Sequence, residues 1–488
     1  MREYTVRVLP EGRVLAAREG ESLLEVLRSA ALQPEAPCGG KGTCGKCRVL
    51  VDGTEQLSCR TVVDRDMTVE LPQKQDAVIL TASLDVKATA DGICDYVLAF
   101  DIGTTTVVAY LLDGRTGAQL AQASCLNPQG TWGADVISRV QHVMTAQTDE
   151  LETAIKTVLA ELTRETAGKA GIKAGQIGLA AIVGNTAMHH LLLGIDPRPL
   201  ITPPYMPAVF EAMEFPAEGF LPIASNGVIR ILPNIAGFVG ADTVGCLVAT
   251  RFDQKDKLTL MIDIGTNGEM VLGDQNRRLA CSTAAGPAFE GAKISCGMRG
   301  AAGAVDHVRV EDGELKWHVI GDAEAVGLCG SGLLDLTAAL LVTGDVTERG
   351  RMPAREYRLG DTAVILTQKD VREVQLAKGA IRAGIELMCE HLGVMVEDID
   401  TVYLAGAFGN YLDPAAACAI GMIPPVLADR IVPIGNAAGE GAKLCALSAA
   451  EFEYSKSLAR NTEFLELASM RQFQDRFIGC LNFEEDDD

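Results

Sequence analysis

The chain carries one hairpin twice. YVLAFDIGTTTVVAYLLD occupies 96–113 and LTLMIDIGTNGEMVLGD occupies 258–274. Each is an apolar strand that runs into Asp-Ile-Gly-Thr and reverses into a second apolar strand. One copy alone is an ordinary turn as often as not. Two copies at corresponding strand ends point to a duplicated α/β unit whose hairpins do chemistry. Gly103 and Gly265 let the backbone approach oxygen atoms closely. Thr104, Thr105 and Thr106 in the first copy, with Thr266 and Asn267 in the second, supply donors. Asp101 and Asp263 suit Mg²⁺ or its water ligands. Glu269 and Glu290 sit beside the second copy, where a carboxylate either orients an attacking water or simply bonds the hairpin.

Three further glycine turns come later in the chain. GLCGSGLLDLTAALL (327–341) runs into an apolar helix whose N-terminus, at Gly330, Ser331 and Gly332, can face an anion. VYLAGAFGNYLD (402–413) is a strand entering a turn at Gly406, Phe408 and Gly409, open to close approach by a flat adenine. VPIGNAAGEGA (432–442) is another strand, turn and helix. Each alone is more often packing than ligand contact. Together, in this order, they resemble the actin-like ATPase superfamily of sugar kinases, Hsp70 and actin. The resemblance implies two ribonuclease-H-like halves that clamp ATP and Mg²⁺ between a first phosphate loop (Asp101–Thr106), a second (Asp263–Glu269) and an adenosine loop (Gly406–Gly409).

The cysteines constrain the other end. Four of the 14 fall within residues 38–59, in CGGKGTCGKC and then QLSC, where an even spread would put fewer than one. The gaps between Cys38, Cys44, Cys47 and Cys59 are five, two and eleven residues. A plant-type [2Fe–2S] loop uses four and two residues plus a distant fourth thiolate, so this loop differs by one residue in its first gap. Glycines at 39, 40, 42 and 45 allow the loop to curl and its amides to approach the sulfurs. Structural zinc is the alternative, but it favours two C-x₂-C knuckles and only one is present. Around the loop, Tyr4, Val6 and Val8 alternate, Arg13–Ala17 offers a second strand, ESLLEVLRSAAL carries an apolar stripe at Leu23, Val26, Leu27 and Ala30, and KCRVLV and MTVEL suggest more strands. That order suits a small α+β sheet with one packed helix, its cysteine loop following the helix, and the likeness of that loop to plant-type ferredoxins implies a β-grasp ferredoxin-like domain.

Length and charge bound the rest. A chain of 488 residues suggests about three domains. We divide it into a [2Fe–2S] domain (1–72), a linker (73–95), a first ATPase half (96–255) and a second half (256–488) with the adenosine loop and a dimer surface. A net charge of −22 argues against nucleic acid. No run approaches the ~18 apolar residues of a membrane span, and MREYTVRVLPEGRV reads as a strand rather than a signal peptide. The expectation is a cytoplasmic protein, where clustered cysteines mean metal or redox work before disulfides.

NPQGTWGADVISRV (127–140), AIVGNTAMHHLLLG (181–194), AAGPAFEGAKISCGMRG (284–300) and TQKDVREVQLAKGAIRAGI (367–385) take the resemblance further. With the fused ferredoxin module, the whole chain is similar to the reductive activators of corrinoid proteins that serve methyltransferase systems such as O-demethylases. It departs from longer relatives in its short linker, and it carries no C-terminal ferredoxin-like cysteine run. The resemblance implies that the [2Fe–2S] cluster returns an electron to inactive Co(II) and restores Co(I). That transfer is uphill, because Co(II)/Co(I) couples lie below the roughly −400 mV of plant-type ferredoxins. Each ~59 mV is tenfold in a one-electron equilibrium, so ATP must supply the difference. A corrinoid protein, an upstream low-potential electron donor and a homodimer are the implied partners.

Three rivals remain at this level. One is a redox-regulated small-molecule kinase or hydantoinase-like hydrolase of the same superfamily. Another is an electron-transfer module with a non-hydrolysing nucleotide fold, which two intact hairpins disfavour. Activators of radical dehydratases are the third, but they hold a [4Fe–4S] cluster between subunits and lack an N-terminal ferredoxin. His189 and His190 begin an apolar helix and read as packing residues. Cys281, Cys296 and Cys329 have no cluster spacing and read as buried thiols, while the 281–299 loop is a guess for the corrinoid face.

Overall fold

The computed structural model describes residues 2–483 apart from 31, 33, 35, 37–39, 41, 43, 44, 73–88, 147 and 410. Val6 and Val8 alternate inward on β1 (Glu3–Leu9), which pairs antiparallel with β2 (Arg13–Arg18). With β3 (Arg48–Val51), β4 (Thr54–Leu57) and β5 (Met67–Glu70) these make a five-stranded sheet in the order β2-β1-β5-β3-β4, in which β1 and β5 are parallel. The helix Leu23–Ser29 buries Leu23, Val26 and Leu27 in the core shared with Val6, Val8, Val49 and Val69. It ends at Ser29, one residue short of the expected stripe, with Ala30 at its C-cap. Thr54–Leu57 carries no alternating apolar signal and becomes a strand through its antiparallel partner β3.

Most of the stretch read as a linker, 73–88, lies outside the described residues, but its last residues lie on the ATPase body. Asp91 accepts from Ser448 Oγ at 3.2 Å and from Ala449 N at 2.6 Å, and Cys94 fills the space beside Gly178.

Two sheets of the same plan make up the rest. The first joins β6 (Tyr96–Ile102), β7 (Thr106–Asp113), β8 (Gln119–Leu126), β9 (Ile177–Gly184), β10 (Met213–Pro216) and β11 (Val228–Ile231) in the order β10-β11-β9-β6-β7-β8. The second starts with β12 (Thr259–Ile264), β13 (Gly268–Gly273) and β14 (Arg278–Thr283). Smaller sheets of β15 (Ala304–Glu311), β16 (Glu314–Val319) and β17 (Gly327–Leu328), and of β18 (Glu356–Arg358) and β19 (Ile365–Thr367), are inserted there. β20 (Thr401–Ala405), β21 (Ile431–Gly435) and β22 (Glu463–Phe464) then complete the order β21-β20-β12-β13-β14-β22. In both sheets the strand before the hairpin is antiparallel to its hairpin partner and parallel to a later strand: β6 to β9, and β12 to β20. β11 and β21 extend that parallel edge in the same way. The duplicated α/β architecture is therefore real, and it sets Asp101 and Asp263 at equivalent strand ends.

The halves meet through two helices, Ala241–Thr250 and Ala437–Leu447, within a core that draws on both sheets. Their backbones approach so closely that a Cβ on Gly441 would lie 2.1 Å from the Gly245 carbonyl oxygen. Only glycine permits that crossing. No helix among the described residues is long and apolar enough to cross a membrane.

Candidate functional site: a nucleotide cleft beside a thiol loop

Four carboxyls converge where the halves face each other. Asp101 lies at the end of β6 and Asp263 at the end of β12, with Glu269 across the hairpin in register with Asp263. Asp242 enters from the first turn of the helix Ala241–Thr250. Burial holds the Asp101 carboxyl up at about 6, against the hydrogen bond from Asn436 that favours its charged form. Asp263 is pushed up to about 7, by burial first and by the charge of Asp101 second. Asp242 and Glu269 are raised as well, by burial and by these same neighbours. Such a set is relieved by a cation. Among the described residues, no three His, Cys, Asp or Glu converge tightly enough to cage a metal alone. Mg²⁺ needs no such cage, because it keeps much of its water and shares one or two carboxylates with a phosphate.

Hairpin 1 is braced by asparagines. Asn127 Nδ2 donates to Gly103 O at 2.8 Å, Asn185 Nδ2 to Thr104 Oγ1 at 2.9 Å, and Asn436 Nδ2 to Asp101 Oδ2 at 2.8 Å. Arg139, buried, donates to Thr104 O at 2.5 Å and to Gly133 O at 2.9 Å. Burial lowers this guanidinium to about 10, while the charge of Glu290 opposes that shift. The turns themselves close through Gly103 N to Thr106 O at 2.9 Å and Gly265 N to Asn267 O at 3.0 Å.

Glu290 links the halves. Its Oε2 accepts from Thr105 Oγ1 at 2.9 Å and its Oε1 from Thr266 Oγ1 at 3.0 Å. At Glu290 the loop thus lies between the two hairpins, while Lys293 and Ser295 further along it are exposed.

The other predicted positions divide. Gly406, at φ +86°, lies against Asp263: a Cβ there would sit 2.5 Å from Oδ1. Phe408 stacks on Phe289 with centroids 5.0 Å apart and planes 9° from parallel. Gly409 packs beside Leu404. Gly330 faces the Phe289 carbonyl and the Phe408 ring, Gly332 faces the Val305 carbonyl, and buried Ser331 lies 3.3 Å from the Cys329 thiol, so each of the three has a packing partner.

His189 and His190 are interior and neutral. Asn234 Nδ2 donates to His189 Nδ1 at 2.7 Å, and burial lowers that imidazole to about 4. His190 Nδ1 donates to Thr186 O at 2.7 Å while its Nε2 accepts from Ala208 N at 3.0 Å. Cys281 and Cys329 are buried; Cys296 is half-buried and accepts from Ile365 N at 3.4 Å.

Cys38 and Cys44 lie outside the described residues. Cys47 and Cys59 share one small apolar cluster with Leu24, Ala36 and Leu57, and neither forms a disulfide. Gly40, Gly42 and Gly45 all have positive φ, the tight curl a cluster loop requires. A second thiol brought to the first, under a curled glycine loop, fits a [2Fe–2S] group. The same domain touches both halves of the ATPase: Lys46 Nζ donates to Gly297 O at 2.7 Å, and Arg28 Nη2 donates to Thr131 O at 2.5 Å.

Asp242 and Asn436 are the cleft residues that sequence reading missed. The signal for the asparagine was present. Gly184-Asn185 and Gly435-Asn436 both follow an apolar strand and open a helix, and both asparagines cap that helix through Oδ1, from Met188 N at 3.0 Å and Gly439 N at 2.8 Å.

Comparison with known proteins agrees with this geometry. A family model described as the C-terminal domain of RACo, the ASKHA domain, matches residues 257–488; the RACo middle region matches 96–255; and a 2Fe-2S iron-sulfur cluster binding domain matches 6–72. The corrinoid activation enzyme RamQ of Eubacterium limosum is 37% identical over 413 residues, 78% of this chain and 69% of that protein. A Co(II) methylated amine-specific corrinoid protein reductase of Methanosarcina barkeri is 34% identical over 250 residues, 47% of this chain and 45% of that protein. The solved structure of a reductive activator for corrinoid, iron–sulfur protein superposes with a TM-score of 0.73 at 28% identity, over 98% of both chains. The chain belongs to the family of corrinoid activation enzymes that includes RamQ.

Proposed function

We propose that this protein reactivates corrinoid proteins of a methyltransferase system, using ATP to drive the return of inactive Co(II) to Co(I). The observation that carries the reading is the joining of two sites in one body. A cleft with two Asp-Ile-Gly-Thr hairpins bridged by Glu290 is hydrogen-bonded to a domain carrying a curled thiol loop. A kinase or hydrolase would need the second part only for redox regulation.

In this reading, residues 1–72 form the electron-carrying domain, 96–255 and 256–488 the two ATPase halves, and 73–95 the connection. The hydroxyls of Thr104, Thr105, Thr106 and Thr266, with Asn267 and the amides beside Gly103 and Gly265, bind phosphate oxygens. Asp101 and Asp263 take up Mg²⁺ through its water. Burial and the neighbouring carboxyls raise the Glu269 carboxyl, so once a cation in the cleft favours its ionised form it is a stronger base than an exposed glutamate, and it orients the attacking water and accepts its proton. Gly406, Phe408 and Gly409 form the adenosine side, and the helix opening at Gly330, Ser331 and Gly332 lines the same cleft. Cys38, Cys44, Cys47 and Cys59 hold the [2Fe–2S] group. Bound there, that group supplies single electrons, the unit that separates Co(II) from Co(I). The finer partners are an upstream low-potential electron donor and a second copy of this chain, in the cytoplasm. Coupling requires that nucleotide bind the open and closed arrangements of the halves with different affinity.

The test uses anaerobic, cluster-loaded protein with a strong reductant and a Co(II) corrinoid protein. Co(I) absorbance that rises only with Mg-ATP supports the reading. ATP hydrolysis without cobalt reduction, across several corrinoid partners, moves it to a redox-linked kinase or hydrolase.

A further inference from the structure

We propose that Glu290 couples the nucleotide to the ferredoxin domain: phosphate in the cleft displaces Glu290, and the displacement undocks that domain. The inference rests on the nucleotide reading of the hairpins. Its first support is the position of the carboxylate. Glu290 takes one hydroxyl from each half, Thr105 and Thr266. These are the donors a phosphate would use. A phosphate and a carboxylate, both anionic, cannot share the same two hydroxyls at hydrogen-bond distance, so one must leave.

The second support is the tightness of the loop between Glu290 and Gly297. Gly291 has φ +75° and lies against the end of its own loop: a Cβ on Gly291 would be 2.6 Å from Met298 O, and a Cβ on Gly297 would be 2.2 Å from Gly291 O. Ala292 N also closes back on Pro287 O at 3.1 Å. A loop with no free space between its ends transmits a shift at 290 to 297. Gly297 O is the acceptor for Lys46 Nζ, one residue before Cys47.

The third support is on the opposite half. Thr131 O, the acceptor for Arg28, closes a short turn opened by Asn127, which is bonded to hairpin 1 through Asn127 N to Thr105 O and Asn127 Nδ2 to Gly103 O, both at 2.8 Å. Among the described residues, Lys46 ties the ferredoxin domain to one half and Arg28 ties it to the other, and each anchor is one short segment from a hairpin. When the halves move relative to each other, both anchors cannot be kept. Docking and phosphate binding therefore exclude each other: with Mg-ATP the ferredoxin domain leaves the ATPase and is available to the corrinoid partner.

Linkage supplies a readout that a merely structural contact would not move. If nucleotide must break the anchors, removing them must tighten nucleotide binding, although both lie on another domain. Full-length, cluster-loaded wild type and Arg28→Met/Lys46→Met would be titrated with Mg²⁺ and the non-hydrolysable analogue AMPPNP. We expect at least about tenfold tighter binding by the double variant, which loses two charge-assisted hydrogen bonds, with cluster absorbance unchanged. Affinity within about twofold of a wild type that does bind overturns the coupling and leaves the nucleotide reading standing. A wild type that binds no Mg-AMPPNP overturns both. Amide exchange in the wild type needs no variant: Mg-AMPPNP should raise exchange across 21–30 and 45–48, and unchanged exchange overturns the proposal.

Discussion

Asn436 performs two functions with one amide: Oδ1 accepts from Gly439 N at 2.8 Å and caps a helix, while Nδ2 donates to Asp101 Oδ2 at 2.8 Å. The first bond supports the fold and the second tunes the cleft, so substitutions can separate them. Asn436→Ala loses both, at about 1 kcal/mol for the cap and about 1.5–3 kcal/mol for the bond to a carboxylate. Asn436→Ser restores the cap alone. We expect Ser to recover about 1 kcal/mol of stability relative to Ala without recovering Mg-ATP affinity. Equal recovery of both, by denaturant unfolding and nucleotide titration, would mean that the Asp101 bond is incidental.

The raised carboxyls give the apoprotein an unusual pH response. Asp101 at about 6 and Asp263 at about 7 hold protons that the unfolded chain releases near pH 4. In that window the native state binds more protons, so this contribution to stability is complete below about pH 4 and is lost as the pH rises through about 7. Asp263→Asn cannot ionise. Its stability advantage over wild type should grow from pH 5 to pH 8, while Mg-ATP-dependent Co(I) formation disappears. Mg²⁺ with nucleotide should also release protons on binding near pH 6.5, measurable by calorimetry in buffers of different ionisation enthalpy. No proton release, or a variant that tracks wild type at every pH, would contradict the assignment.

The hairpins were legible because strand alternation and the Asp-Ile-Gly-Thr turn are local signals, and duplication made the signal count twice. The cysteine spacing was legible for the same reason. Contacts made across the cleft could not be read. Asp242 is an ordinary first-turn helix residue until the fold carries it to Asp263, and nothing near Glu290 in the chain says that Thr105, 185 residues away, donates to it. Thr54–Leu57 was missed because its strand character comes from a neighbour, not from its own residues. Gly330 and Gly332 illustrate the reverse ambiguity: a glycine near a helix start suits an anion and suits tight packing equally, and only the structure shows the packing partners.

The helix crossing between the halves has no slack. A Cβ at Gly441 would meet Gly245 O at 2.1 Å and its Cα at 2.5 Å, both backbone atoms. Gly441→Ala must push the two helices apart, at about 1–3 kcal/mol for overpacking, and it should weaken Mg-ATP binding because the halves no longer meet in register. Gly168→Ala is the control, exposed near the end of the helix Glu150–Lys169 with nothing within 4 Å of its new methyl. It should stabilise by about 0.5–1 kcal/mol and leave nucleotide binding alone. Similar Tm values for the two variants would show that the crossing tolerates more than its geometry suggests.

The thiols provide the test that separates electron supply from ATP use. Cys47 and Cys59 share one apolar cluster, whereas Cys125 is half-buried on β8 of the first ATPase half. In the proposed assignment, replacing Cys47 or Cys59 with alanine removes a ligand that the cluster cannot do without, so visible absorbance and Co(I) formation should both be lost. In the same proposed assignment hydrolysis depends on the hairpins and on Glu269, none of which touches these thiols, so Mg-ATP turnover should persist. Cys125→Ser should retain the spectrum and both activities. If the Cys47 and Cys59 variants instead lose ATP turnover together with the spectrum, the ferredoxin domain is part of the catalytic assembly and not only its electron carrier. If they keep Co(I) formation, the electron reaches cobalt by a route that bypasses residues 38–59.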